Sequence, residues 1–142
     1  MNNTGRQPQI GDVYYMRFDG TGNEQRGLRP CVIFQNNLGN LHSPNVIVIP
    51  LTSKLKKTTQ PTHVLLPASE TGLDRDSMAL CENPGSVSKD RLTKYFTTIP
   101  GKYMAEIAAA SVLATSAISF IEPDVLLSLW QKASSLNATP VA

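Results

Sequence analysis

Cysteine is scarce, with two in 142 residues, and aromatic side chains make up only 6%. Cys31 and Cys81 each lie inside an apolar run, Pro30-Cys31-Val32-Ile33-Phe34 and Met78-Ala79-Leu80-Cys81. That placement fits buried thiols in a reducing compartment and excludes a disulfide framework. The only two histidines, His42 and His63, match no metal-ligand spacing. The one tight acid pair, Asp74-Arg75-Asp76, brackets an arginine and has Arg91 nearby, so it reads as a surface ion-pair cluster rather than a Mg²⁺ site. No metal is expected. The uncharged stretch Ile107 to Ile121 is rich in Ala, Ser and Thr and falls short of the ~20 apolar residues of a spanning helix. The first nine residues are polar and carry no apolar segment, so neither a secretory signal nor a membrane anchor is expected, and the protein is placed in the cytoplasm. There is no phosphate-binding glycine loop, no GxGxxG and no GxSxG elbow, which removes nucleotide-cofactor enzymes and α/β-hydrolases. No cofactor is expected.

What is present is enough for one domain, since ~150 residues is a common domain size. Hydrophobic residues make up 41%, and ten prolines with nine glycines mark a turn-rich chain rather than a coiled coil or a disordered tail. The net charge of +2 hides an asymmetry. Residues 1–60 carry seven Lys or Arg against Asp12, Asp19 and Glu24, a net of +4, whereas residues 61–142 carry six against eight acids, a net of −2. Five of the cations, Arg26, Arg29, Lys54, Lys56 and Lys57, fall in two short stretches that a fold could join into one anion-attracting surface; otherwise they decorate solvated loops.

Val13-Tyr14-Tyr15-Met16-Arg17-Phe18, closed by Asp19-Gly20, reads as a first strand. Thr21 to Pro30 has no periodicity and reads as a long loop, with a second strand starting at Pro30. Asn45 to Ile49 is a β-branched run of the kind buried on both faces, and Thr62 to Leu66 and Met78 to Cys81 are further strands. Short strands without intervening helical periods predict a small barrel or a bent sheet, not a βαβ fold. Ser88 caps one or two turns over Lys89 to Leu92, and Pro100 opens a longer helix reaching Ala114 or beyond. Its Ile107, Ala110, Ala114, Ile118 and Ile121 form an apolar stripe fit to cover the barrel. A second helical pattern after Pro123-Asp124 carries Val125, Leu126, Leu129, Trp130 and Ala133, a stripe expected to pack on the barrel or on a second subunit.

Gly11-Asp12-Val13-Tyr14, followed by Glu24-Gln25-Arg26-Gly27 and Arg29-Pro30, resembles the start of the MazF/PemK family of toxin endoribonucleases, the mRNA interferases of type II toxin-antitoxin systems. Gln35-Asn36-Asn37, Ser43-Pro44, Pro50-Leu51-Thr52-Ser53, Pro61-Thr62-His63-Val64, Asp74-Arg75-Asp76-Ser77 and Lys89-Asp90-Arg91-Leu92 follow in the family order, so the likeness spans about residues 9–121. The resemblance implies a mainly β fold, a small SH3-like (CcdB/PemK-like) β-barrel capped by C-terminal helices, usually a homodimer. Residues 1–121 would form the barrel domain with a polar N-terminal extension, and 122–142 a helical extension and tail. It also implies a single-stranded RNA substrate and a MazE-like antitoxin whose tail blocks the basic groove.

The catalytic arginine of the family matches Arg29, its active-site Thr or Ser matches Thr52, and its loop acid matches Glu24. Cutting RNA through its own 2′-hydroxyl needs proton transfer and stabilisation of charge on a crowded phosphorane. Arg29 offers a fork of donors for that charge and could also protonate the leaving 5′-oxygen, while a general-base role suits a permanently charged guanidinium poorly. Thr52 could hold a non-bridging oxygen or orient Arg29, assisted by Ser53. The proton acceptor stays open between Glu24, which could instead fix an arginine, and His63, which could instead be a satisfied strand residue. Gln25, Arg26, Lys54, Lys56 and Lys57 would track the RNA, with His63 beside them.

Two departures stand out. Where the family often has Glu-Gln-Ile-Arg, this chain has Glu82-Asn83-Pro84-Gly85, which loses an arginine and gains a stiff turn. The helix from Met104 to Ile121 is rich in Ala, and residues 122–142 run past the family's usual end, so the dimer contact can differ. The competing readings are a CcdB-like gyrase poison, which would need a terminal Trp-Gly-Ile that Asn137-Ala138-Thr139-Pro140-Val141-Ala142 does not supply, and a barrel that binds RNA or antitoxin without cutting.

Overall fold

A computed structural model describes residues 5–19, 26–55 and 60–137, the side chains of Asp19 and Arg26 excepted. Seven strands make one antiparallel sheet: β1 (Asp12–Asp19), β2 (Arg26–Ile33), β3 (Asn45–Thr52), β4 (His63–Leu66), β5 (Ser77–Leu80), β6 (Gly85–Ser88) and β7 (Leu92–Thr98). Four helices accompany it: α1 (Asn37–His42), α2 (Ala68–Thr71), α3 (Gly101–Thr115) and α4 (Leu126–Leu136). Strand order is β4-β5-β3-β2-β1-β7, with β6 beside the first half of β3 and β5 beside its end. No pairing joins β4 to β7 among the described residues, so the sheet stays open there.

Alternation along the central strands divides the core in two. Val13, Val32, Ile49 and Leu51 face a cluster completed by Tyr103, Ile107 and Ala110 of α3. Tyr14, Met16, Cys31, Ile33, Val46, Val48 and Leu92 face the other way, and all are at most 1% exposed although no helix contributes to their cluster. Only a sheet curled upon itself can bury that second face, and this is the expected barrel in open form.

Several expectations need correction. β2 begins at Arg26, not Pro30, so the last part of the expected loop is strand. Pro30 is tolerated because pairing with β3 starts only at Cys31, leaving β2 a partner on one side at that point. β3 is not buried on both faces throughout: Asn45 and Ile47 are exposed, and double burial begins at Val48. The turn at Ser88 exists as a 3₁₀ turn over Lys89–Arg91, with the Ser88 hydroxyl accepting from the Asp90 amide, but the chain then enters β7, a strand not anticipated. Asp76 accepts the Ala68 amide at 2.8 Å, and Arg91 donates to the Arg17 carbonyl.

Pro100 precedes α3 as its N-cap. The helix stops at Ser116, whose φ of 56° breaks it, and the expected stripe breaks with it: Ile107 and Ala110 are buried, Ile118 is exposed. 3₁₀ turns over Ala117–Phe120 and Pro123–Val125 lead into α4, whose stripe does not pack on the barrel: no α4 residue is buried. The N-terminal segment is clasped by Asp12. Its fully buried carboxylate accepts from Arg6 Nε and Nη2, both at 3.2 Å, from the Gln9 amide at 3.0 Å and from the Thr98 hydroxyl at 2.9 Å. No helix among the described residues is long and apolar enough to cross a membrane.

Candidate active site

Arg29 lies on β2 opposite Met16 of β1. Pairing of β2 with β3 runs from Ile33↔Val48 to Cys31↔Pro50 and ends there, with Arg29 and Thr52 each two residues beyond it at the same end of the ladder. Both share a face with Cys31 and Val48, the inward face of the curl, so the pair stands where the barrel interior opens to solvent. Each is half-buried. Antiparallel pairing explains how two stretches far apart in sequence meet, because the start of β2 lies beside the end of β3. Arg29 and Lys54 therefore lie toward one end of the sheet.

The Thr52 Oγ1 accepts the Lys54 amide at 3.1 Å, a local turn that ends β3 and exposes Ser53 and Lys54. With one lone pair so engaged, the hydroxyl hydrogen can turn outward as a donor. Thr52 also pairs with Met78 of β5, and Met78 with Leu65 of β4, so one row crosses three strands from Thr52 to Leu65. Leu65 is 52% exposed and gives the row an apolar ledge that the sequence pattern did not single out. Its only signal was alternation in His63-Val64-Leu65-Leu66, where Val64 and Leu66 are the buried members.

His63 belongs to the neighbouring row, opposite Leu80. Sheet spacings put it roughly 12 Å from Thr52, too far for a shared proton. Its side chain is 8% exposed, Nε2 meets Glu82 Oε2 at 2.7 Å, and Nδ1 is buried without a partner. It is therefore engaged with the departing Glu82-Asn83-Pro84-Gly85 turn rather than with the Arg29–Thr52 pair. Glu24, Gln25, Lys56, Lys57 and the side chain of Arg26 lie outside the described residues. Burial pushes the Cys31 thiol up to about 12 and the Cys81 thiol to about 11, so neither is a nucleophile. No three His, Cys, Asp or Glu side chains converge among the described residues.

With the geometry in place, comparison with known proteins decides the family. The model of the PemK-like, MazF-like toxins of type II toxin-antitoxin systems matches residues 9–113. The chain belongs to that family. It is 36% identical to the endoribonuclease EndoA of Bacillus subtilis over 78% of this chain and 96% of the relative. It is 42% identical to the endoribonuclease MazF of Staphylococcus saprophyticus over 68% of this chain and 82% of that protein. Among solved structures, a mycobacterial endoribonuclease in complex with its cognate antitoxin is 27% identical with a TM-score of 0.65, covering 77% of this chain and 95% of that one. The matched span ends at residue 113, within α3, so α4 is additional to it.

Proposed function

We propose that this chain is the toxin of a type II toxin-antitoxin module and acts in the cytoplasm as a metal-independent endoribonuclease on single-stranded mRNA. The observation that supports the mechanism is the end of the β2–β3 ladder at Cys31↔Pro50, beyond which Arg29 and Thr52 follow on the same face, each two residues further along its strand. A scissile phosphate held between them receives the Arg29 fork on its non-bridging oxygens and the Thr52 hydroxyl as a further donor. The 2′-oxygen attacks phosphorus as its proton leaves to a base, for which Glu24 is the candidate because His63 is held by Glu82. The bond from phosphorus to the 5′-oxygen breaks, that oxygen takes up a proton, and the ends are a 2′,3′-cyclic phosphate and a 5′-hydroxyl. Because the nucleophile is supplied by the RNA itself, proton transfer and charge stabilisation suffice. Ser53 and Lys54, with Gln25, Arg26, Lys56 and Lys57, hold the backbone. A MazE-like antitoxin that occupies this basic mouth would block it, and the active unit is a homodimer.

The test is incubation of the purified protein with a long unstructured RNA in EDTA, alongside Arg29→Ala and a 2′-deoxy substrate. Cleavage with cyclic-phosphate and 5′-hydroxyl ends, lost in both controls, is expected. A fully active Arg29→Ala protein overturns the mechanism.

A further inference from the structure

Beyond residue 113 the chain carries a helix that the barrel does not use. The end of α3, the turn after it and α4 expose nine large apolar side chains between residues 112 and 130, with Phe120 at 88%, Trp130 at 71% and Leu127 at 60%. Scattered exposed apolar residues are ordinary, but so dense a run is not. Nor is α4 simply loose. Its last turn is pinned where the Asn37 amide donates to Asn137 Oδ1 at 3.0 Å, on the first residue of α1. The helix is held in place at its end while all its side chains remain outside the core.

We propose that α4 and the end of α3 form the docking surface for the same surface of a second copy of this chain. Charge favours that occupant: from residue 125 to 137 the only charged side chain is Lys132, which offers little to RNA or to an acidic antitoxin tail, whereas a like apolar surface requires no complementary charge. A two-fold arrangement lets Leu126, Leu129 and Trp130 of each copy meet those of the other. The area is of the right order: Phe120 and Trp130, at 88% and 71% exposed, offer roughly 150–200 Å² each, and seven further exposed Val, Leu and Ile side chains bring the surface toward the ~800 Å² that each partner commonly contributes. The inference rests on the homodimer of the preceding reading and places its contact partly outside the span matched to the family.

Trp130 is the only tryptophan, so its fluorescence reports directly on this face. The full-length protein is followed by sedimentation equilibrium and by acrylamide quenching across a dilution series, with Leu127→Ser/Leu129→Ser as the variant. Both replaced side chains are exposed, so the barrel should fold unchanged, which far-ultraviolet circular dichroism checks. The expected result is a blue-shifted, shielded Trp130 in the dimer that becomes quenchable on dilution, and at least tenfold weaker self-association in the variant. A dimer with freely quenchable Trp130 overturns the assignment while leaving the homodimer standing. A chain monomeric at every concentration overturns both. Shielding that appears only with added RNA or a co-expressed antitoxin assigns the face to that partner instead. None of these outcomes depends on cleavage, so the ribonuclease reading is tested separately.

Discussion

Replacing Thr52 by Val removes one hydroxyl at the point where the proposed chemistry needs a donor. The Oγ1 atom already accepts the Lys54 amide at 3.1 Å, so the hydroxyl hydrogen is the part left for substrate. Two costs separate cleanly. The structural cost is small: the exposed Lys54 segment can give its amide to water, and a half-buried Val keeps the side-chain volume, so stability should fall by at most about 1 kcal/mol. The catalytic cost is larger, because loss of one preorganised donor to a developing oxyanion is worth about 3–4 kcal/mol, or ~10²–10³ in kcat. Thr52→Ser keeps the hydroxyl and loses a methyl group, and should stay within a few-fold of the parent. Steady-state cleavage of one RNA by all three proteins, with thermal melting as the folding control, measures both costs. The expected pattern is a fall in kcat with KM little changed in Thr52→Val only. A Thr52→Val enzyme within threefold of the parent, or a Thr52→Ser enzyme as impaired as Thr52→Val, would refute the donor role.

Three further expectations concern the scaffold. Asp12→Ala leaves the Gln9 amide and Thr98 hydroxyl without their acceptor and should cost about 3 kcal/mol, whereas Arg6→Ala, from the exposed side of the same clasp, should cost about 1 kcal/mol, both read from urea unfolding. Burial raises the Cys31 thiol from 9.0 to about 12, so above pH 9 the unfolded chain ionises first and the folded state loses stability up to pH 12. Its share of the slope is about 1.4 kcal/mol per pH unit, so the slope should fall by that amount in Cys31→Ala, while Cys81, raised to about 11, keeps a part of the same sign. Gly72→Ala combines a backbone at φ +80° with a Cβ placed 2.6 Å from Thr97 Oγ1, so it should destabilise by about 1–3 kcal/mol in a thermal melt, and retention of the parent Tm would show that the turn relaxes freely.

The resemblance of ordered segments such as Gly11-Asp12-Val13-Tyr14 and Pro50-Leu51-Thr52-Ser53 identified the family before any coordinates, and alternation located β1, β3, β4 and β5 to within a few residues. Local pattern also gave the capped turn at Ser88 and the helix after Pro100. It failed where the decisive partner was distant. Leu92 read as the end of a helical turn and Thr93 to Thr98 as no element, because their strand character is expressed only beside β1, and Pro30 looked like a strand start because nothing local shows that β2 has β1 alone as neighbour there. The chemistry divides the same way. Residue identity put a guanidinium at 29 and a hydroxyl at 52, which fixes what each group can do. Only the antiparallel register, set by burying Val32, Ile49 and Leu51 on one face and Cys31, Ile33 and Val48 on the other, brings the strand segments that carry those two groups to the same end of the sheet and leaves His63 with Glu82 instead. The stripe of α4 was equally plain in the sequence, yet apolar residues at helical spacing name no partner, and the barrel's own core was already filled by α3.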